Sequence, residues 1–195
     1  MRGDLLNLFD LILLVIIMKR LLSYLTRFSK KECEKGRSVQ PSFTRWQPFR
    51  SFIGGLIAIS CLGILSKLSS YSLIVAPFGA STVLLFGVPN SPLAQPRNLV
   101  FGNLLGAISA VLSVFFLGTS PLSSGIAVGM AIALGQAFRC LHPPAGAVAL
   151  LGVLLKASPI FILIPVFSGS LILLGIAYTF HRIQNKERIY PLHWL

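Results

Sequence analysis

Between Lys35 and Lys186 the chain contains no aspartate and no glutamate, although it carries a formal net charge of +12. The stretch is strongly apolar and punctuated by Gly and Pro. Its candidate cations are Arg45, Arg50, Lys67, Arg97, Arg139, His142, Lys156, His181 and Arg182. A membrane protein that moves cations or protons normally keeps a carboxylate near mid-membrane, where ionisable groups are costly and therefore functional. This chain has none to place there. What remains is cationic side chains and backbone N–H groups, which suit a small anion.

With 54% hydrophobic and only 11% charged residues, a soluble globular fold is excluded. Cys33, Cys61 and Cys140 are odd in number and lack metal-ligand spacing, so neither a disulfide framework nor a metal site is expected. Cys61 and Cys140 read as small buried hydrophobes. The basic residues crowd the two ends of an apolar body, which is the pattern of membrane anchoring and not of a nucleic-acid surface. The expected partners are a small anion and a bilayer with an anionic inner leaflet. No cofactor, metal or nucleic acid is expected, and homo-oligomerisation is left open.

Apolar segments run from Ser51 to Ser66, Ser72 to Val88, Leu99 to Leu117, Ser124 to Phe138, Ala145 to Leu155 and Ile160 to Phe180. A single span needs about 20 apolar residues. The third and sixth segments meet that length, whereas the fifth is too short to cross alone. Arg2, Lys19, Arg20, Arg27, Lys30, Lys31, Lys35, Arg37, Arg45 and Arg50 precede the first segment; Arg182, Lys186 and Arg188 follow the last. The positive-inside rule then puts both ends in the cytoplasm, with an even number of crossings of the inner (plasma) membrane. Residues 1–44 form a basic extension, in which Lys19 to Lys31 sets Leu21, Leu22, Leu25 and Phe28 against Lys19, Arg20, Arg27 and Lys30. That pattern suits an interfacial helix. Residues 45–195 form the membrane body.

Two segments open on one phrase: Pro77-Phe78-Gly79-Ala80 and Pro144-Ala145-Gly146-Ala147. Each phrase is preceded by an apolar segment and followed by a longer one. The chain thus divides into two copies of three segments, and three being odd, the second copy is inverted. The expected fold is an all-α membrane protein of about six apolar segments in two inverted repeats, with the second and fifth broken or re-entrant. Such interrupted segments at matching positions point to a transporter's central site. Pro fits a first helical turn, and Gly clears the way to the backbone. A helix beginning inside the membrane then offers N–H groups and a positive dipole end to an anion. Close packing of small residues is the structural alternative.

The string Cys140-Leu141-His142-Pro143-Pro144-Ala145-Gly146-Ala147 resembles the signature of the HPP family of integral membrane proteins. Ala76 to Ser81, Ser91 to Asn98 and Tyr190-Pro191-Leu192-His193-Trp194 resemble further stretches of that family, in the same order, from about Arg45 onward. The resemblance implies about four membrane spans, fewer than the six segments, and association with nitrite transport in plant and cyanobacterial members. Substrate-binding candidates are Pro77, Gly79, Ala80, Ser81, Thr82, Gln95, Arg97, Asn98, Arg139, His142, Pro143, Pro144, Gly146 and Ala147. His142 either donates to the anion and follows local pH, or caps the preceding helix end, where Pro143-Pro144 stop continuation. Arg139 either serves the anion beside His142 or snorkels to the inner interface, and Arg97 either collects anions or binds lipid phosphate. The expected function is transport or channelling of a small anion, most simply nitrite. A membrane-embedded structural or assembly protein is the alternative. An enzyme is not expected, since the core lacks the acids that metal binding and general-base chemistry use.

Overall fold

The computed structural model describes residues 8–39, 41–69, 73, 75–184 and 190–194. Arg2, Ser72, Lys186 and Arg188, used above, lie outside the described residues. The chain comprises two compact units, Met1–Thr44 and Arg45–Leu195.

The first unit is a single helix, α1 (Leu8–Val39). Its 32 residues rise about 48 Å. At 100° per residue, Leu21, Leu22, Leu25 and Phe28 lie on one side and Lys19, Arg20, Arg27 and Lys30 on the other. All eight are exposed.

The second unit, over its described residues, consists of helices and their connections, with no strand among them. It contains α2 (Gln47–Ser69), α3 (Ala76–Gly87), α4 (Asn98–Leu117), α5 (Pro121–Ala137), α6 (Pro143–Leu154) and α7 (Ile162–Gln184). α2, α4 and α7 are long and apolar enough to cross a bilayer, while α3, α5 and α6 are shorter. The 12 residues of α6 rise about 18 Å, against a hydrocarbon core of about 30 Å. α2 exceeds the segment read from sequence because Gln47, Pro48 and Arg50 form its first turn, where a proline costs no helical hydrogen bond.

Proline also starts the short helices: Pro77 in α3, Pro121 in α5, and both Pro143 and Pro144 in α6. Ser120 caps α5 by accepting from Ser123 N–H at 3.0 Å. α5 and α6 end alike, each with a cationic residue in the left-handed region, Arg139 (φ 52°) and Lys156 (φ 53°). Cys140 N–H reaches Gly135 O at 2.8 Å and Arg139 N–H reaches Gln136 O at 3.1 Å. Ala157 and Lys156 repeat the pattern on Gly152 and Val153 at 2.8 and 3.1 Å. These are Schellman ends built without glycine. A left-handed L-residue costs about 1 kcal/mol relative to glycine. Arg139→Gly is therefore expected to melt a few degrees higher than Arg139→Ala in detergent, both variants having lost the charge.

Packing differs between the two ends of the chain. α2, α3 and α7 enclose large side chains, among them Leu62, Phe78, Leu85, Phe86 and Leu173. The triangle α4–α5–α6 instead closes on Ala110, Ala127, Ala131, Ala149 and Val153. Small residues allow backbones to approach where lipid supplies no hydrophobic drive for association. Gly106 of α4 lies so close to the Ala145 carbonyl that a Cβ there would overlap it, and Gly169 of α7 stands equally close to the Phe78 ring. α2 packs on α7, α5 on α4, and α3 on α6.

Candidate functional site

His142 occupies the N-cap position of α6 with extended backbone and is 1% exposed. Its Nδ1 lies 2.9 Å from Leu93 O. A carbonyl only accepts, so Nδ1 carries a proton. Nε2 can then accept from the Ser81 hydroxyl, 2.9 Å away on α3. One ring thereby joins α3 and the start of α6 to the loop between α3 and α4.

The same loop is held from several sides. Gln95 Nε2 donates to Pro89 O at 3.0 Å and to Ser91 O at 2.9 Å. Asn98 Nδ2 donates to Leu141 O at 2.8 Å, and Arg97 Nη2 to Phe138 O at 2.9 Å. From the C-terminal tail, Tyr190 Oη donates to Ala94 O at 3.0 Å and Leu192 N–H donates to Gln95 Oε1 at 2.8 Å. Burial pushes the Tyr190 phenol above its usual range, which keeps it a donor. The motifs around Gln95, His142 and Tyr190, dispersed in sequence, converge on one hydrogen-bonded latch.

The remaining sequence candidates separate from it. Thr82 is buried and bonds back to Phe78 O at 2.7 Å. Pro77 and Pro144 are buried, while Pro143, Gly79, Ala80, Ala147 and Arg139 are exposed. Gly146 is half-buried. A Cβ added at Gly79 would meet nothing within 4 Å, and at Gly146 only Val128 Cγ1 at 3.8 Å.

Two sequence expectations need correction. Free backbone donors were expected at the opening of α6, but its first two residues are prolines without N–H groups, and Ala145 N–H bonds to His142 O at 2.8 Å. At α3, Phe78 N–H is likewise taken by Val75 O at 2.9 Å. His142 also does not finish the preceding helix: Arg139 and Cys140 close α5, and His142 begins α6.

Sequence reasoning missed a buried pair where α4 meets α7. Asn103 Nδ2 lies 3.2 Å from Ser170 Oγ, and both residues are fully buried. Asn103 Oδ1 has no hydrogen-bond partner. The available signal was a polar residue directly after glycine within each long apolar run, Gly102-Asn103 and Gly169-Ser170.

Among the described residues no group of His, Cys, Asp and Glu could hold a metal ion. The chain is 34% identical over 185 residues to a transmembrane protein of Dictyostelium discoideum, covering 88% of this chain and 64% of that protein. A second transmembrane protein of the same organism is 34% identical over 157 residues, covering 76% of this chain and 50% of the relative. The chain thus spans half to just under two thirds of these curated relatives. No solved structure matches. Residues 40–191 match the profile described as HPP, transmembrane region, and take in the whole latch except Leu192. This chain is an integral membrane protein of the HPP transmembrane family.

Proposed function

We propose that this protein moves a small inorganic anion across the membrane, with nitrite the first candidate and both termini on the cytoplasmic side. The observation that carries the reading is the character of the buried interior. Ser81, Asn103, His142 and Ser170 gather around the proline-led helix starts, in a membrane body without a carboxylate from Arg45 to Lys186. Neutral hydrogen-bonding groups near positive helix ends favour an anion over a cation. The packing supports the inverted arrangement: exchanging α2, α3 and α4 for α5, α6 and α7 turns the α2–α7 contact into the α5–α4 contact and leaves α3 on α6. The face of Lys19, Arg20, Arg27 and Lys30 fits an anionic leaflet.

A second reading, that of a structural or assembly protein, has its own support. Gln95, Asn98, Arg97 and His142 all engage protein carbonyls, as residues kept for architecture would. Flux separates the two. Proteoliposomes of the purified chain are expected to pass nitrite, with competition from other small anions and none from sodium or potassium. Gly79→Leu and Gly146→Leu find room for the side chain's first atom and should leave the fold intact. If the exposed openings of α3 and α6 face the permeating ion, both variants lose flux without losing folded protein. Selective cation conduction, or no flux of any anion, would defeat the transport reading.

A further inference from the structure

We infer that the Asn103–Ser170 pair is the mid-membrane contact for the permeating anion, a deepening that rests on the transport reading above. Burying a polar atom without a partner costs about 1–3 kcal/mol. Such an orphan calls for an explanation, and among the described residues only the Ser113 and Ser123 hydroxyls share the condition. Asn103 Oδ1 is fully buried and unpartnered, although its amide is anchored through Nδ2 to Ser170.

The surroundings are those of a site. The backbone of α4 is widened into a π-type turn at Asn98–Gly102, immediately before Asn103. A widened turn of this kind recurs at functional positions. α7 is instead kinked shortly before Ser170, where Ile164 is extended (φ −131°, ψ 118°) and Pro165 follows. Gly102 brings α4 against the start of α6, since a Cβ there would lie 2.6 Å from His142 Cβ. Gly169 brings α7 against Phe78 at the start of α3. The pair therefore adjoins α3 and α6, two of the three helices too short to span alone.

The chemistry of the pair suits a ligand of either hydrogen-bonding sense. A serine hydroxyl both donates and accepts, so Ser170 can hold either end of the Asn103 amide. With Nδ2 on Ser170, the open end is an acceptor, matched to water or a protonated weak acid. With Oδ1 on Ser170, the open end is an NH₂ group, matched to an oxyanion or halide. A rotation of the amide exchanges the two without losing the anchor. An ionised aspartate at the same position offers only acceptors and a charge of the wrong sign.

The test uses the full chain in proteoliposomes, with nitrite, formate and chloride as probes and size-exclusion profiles as the check on folding. Asn103→Asp is expected to cut anion flux about tenfold or more, because like charges repel strongly in a low-dielectric interior. Asn103→Ala avoids the buried charge should the aspartate variant fail to fold, and it is expected to raise the half-saturating nitrite concentration several-fold. Ser170→Ala frees the amide and is expected to change the preference among the three anions. Nitrite should also raise the melting temperature of the wild-type protein in detergent, and this shift should vanish in Asn103→Ala. A folded Asn103→Ala with wild-type half-saturation, selectivity and thermal shift overturns the inference, leaving the orphan oxygen as a hydration point, while transport itself stands. Absence of flux in the wild-type protein overturns the transport reading and this inference with it.

Discussion

Gly106→Ala is expected to abolish recovery of folded protein, although it adds a single methyl group. The new Cβ would overlap the carbonyl oxygen and carbon of Ala145, which belong to the first turn of α6 and not to a side chain that can rotate. Overpacking a well-filled core costs about 1–3 kcal/mol even where side chains can adjust, and rigid backbone pushes the cost upward. The α4–α6 contact is also where His142, Ala145 and Gly102 meet, so displacement of α6 would strain the latch. Monodispersity and melting temperature in detergent report the effect. Gly129→Ala in α5 provides the control: nothing lies within 4 Å of its added Cβ, so improved helix propensity should leave it as stable as wild type or slightly more so. Equal behaviour of the two variants would refute the close approach of α4 to α6.

The second large effect belongs to His142. Truncation to alanine removes a buried ring and leaves Leu93 O and the Ser81 hydroxyl each short of a partner. An unsatisfied buried group costs about 1–3 kcal/mol, and the cavity adds to it. His142→Ala is expected to lower the melting temperature by more than any change at Arg139 and to reduce the amount of protein in the membrane. His142→Asn keeps an N–H near the position of Nδ1, so the Leu93 bond can re-form and part of the stability should return. If His142→Ala melted like wild type and lost only flux, the ring would be a transport group instead of a structural one.

The element plan was legible because its causes are local. Prolines mark the starts of α3 and α6, and long apolar runs mark α4 and α7, whereas Pro121 went unread as the start of α5. The phrase beginning at Pro77 and its counterpart at Pro144 pointed to helices that meet, and the Ser81–His142 bond joins them. The chemistry at those openings was misread for an equally local reason. Proline is favoured at a helix start because it lacks an N–H, and that same lack removes the donor an anion would use. The latch was out of reach. Gln95 finds Leu192 and Tyr190 finds Ala94 across separations of 97 and 96 residues, and neither pair shares a pattern in the chain. Asn103 and Ser170 were overlooked because other polar residues, such as Ser109, Ser113 and Ser168, also dot those apolar runs, and only their meeting distinguishes them.

The bonds from the C-terminal tail carry a consequence for biosynthesis. Ala94 waits for a donor synthesised 96 residues later. At about 5–20 residues per second, that delay is on the order of 5–20 s. During it α4, α5, α6 and α7 all emerge, while the loop before α4 lacks the Tyr190 and Leu192 bonds. Completion of the latch therefore comes last, and a released chain truncated before Tyr190 would keep all its helices while its α3–α4 loop stayed incompletely tied.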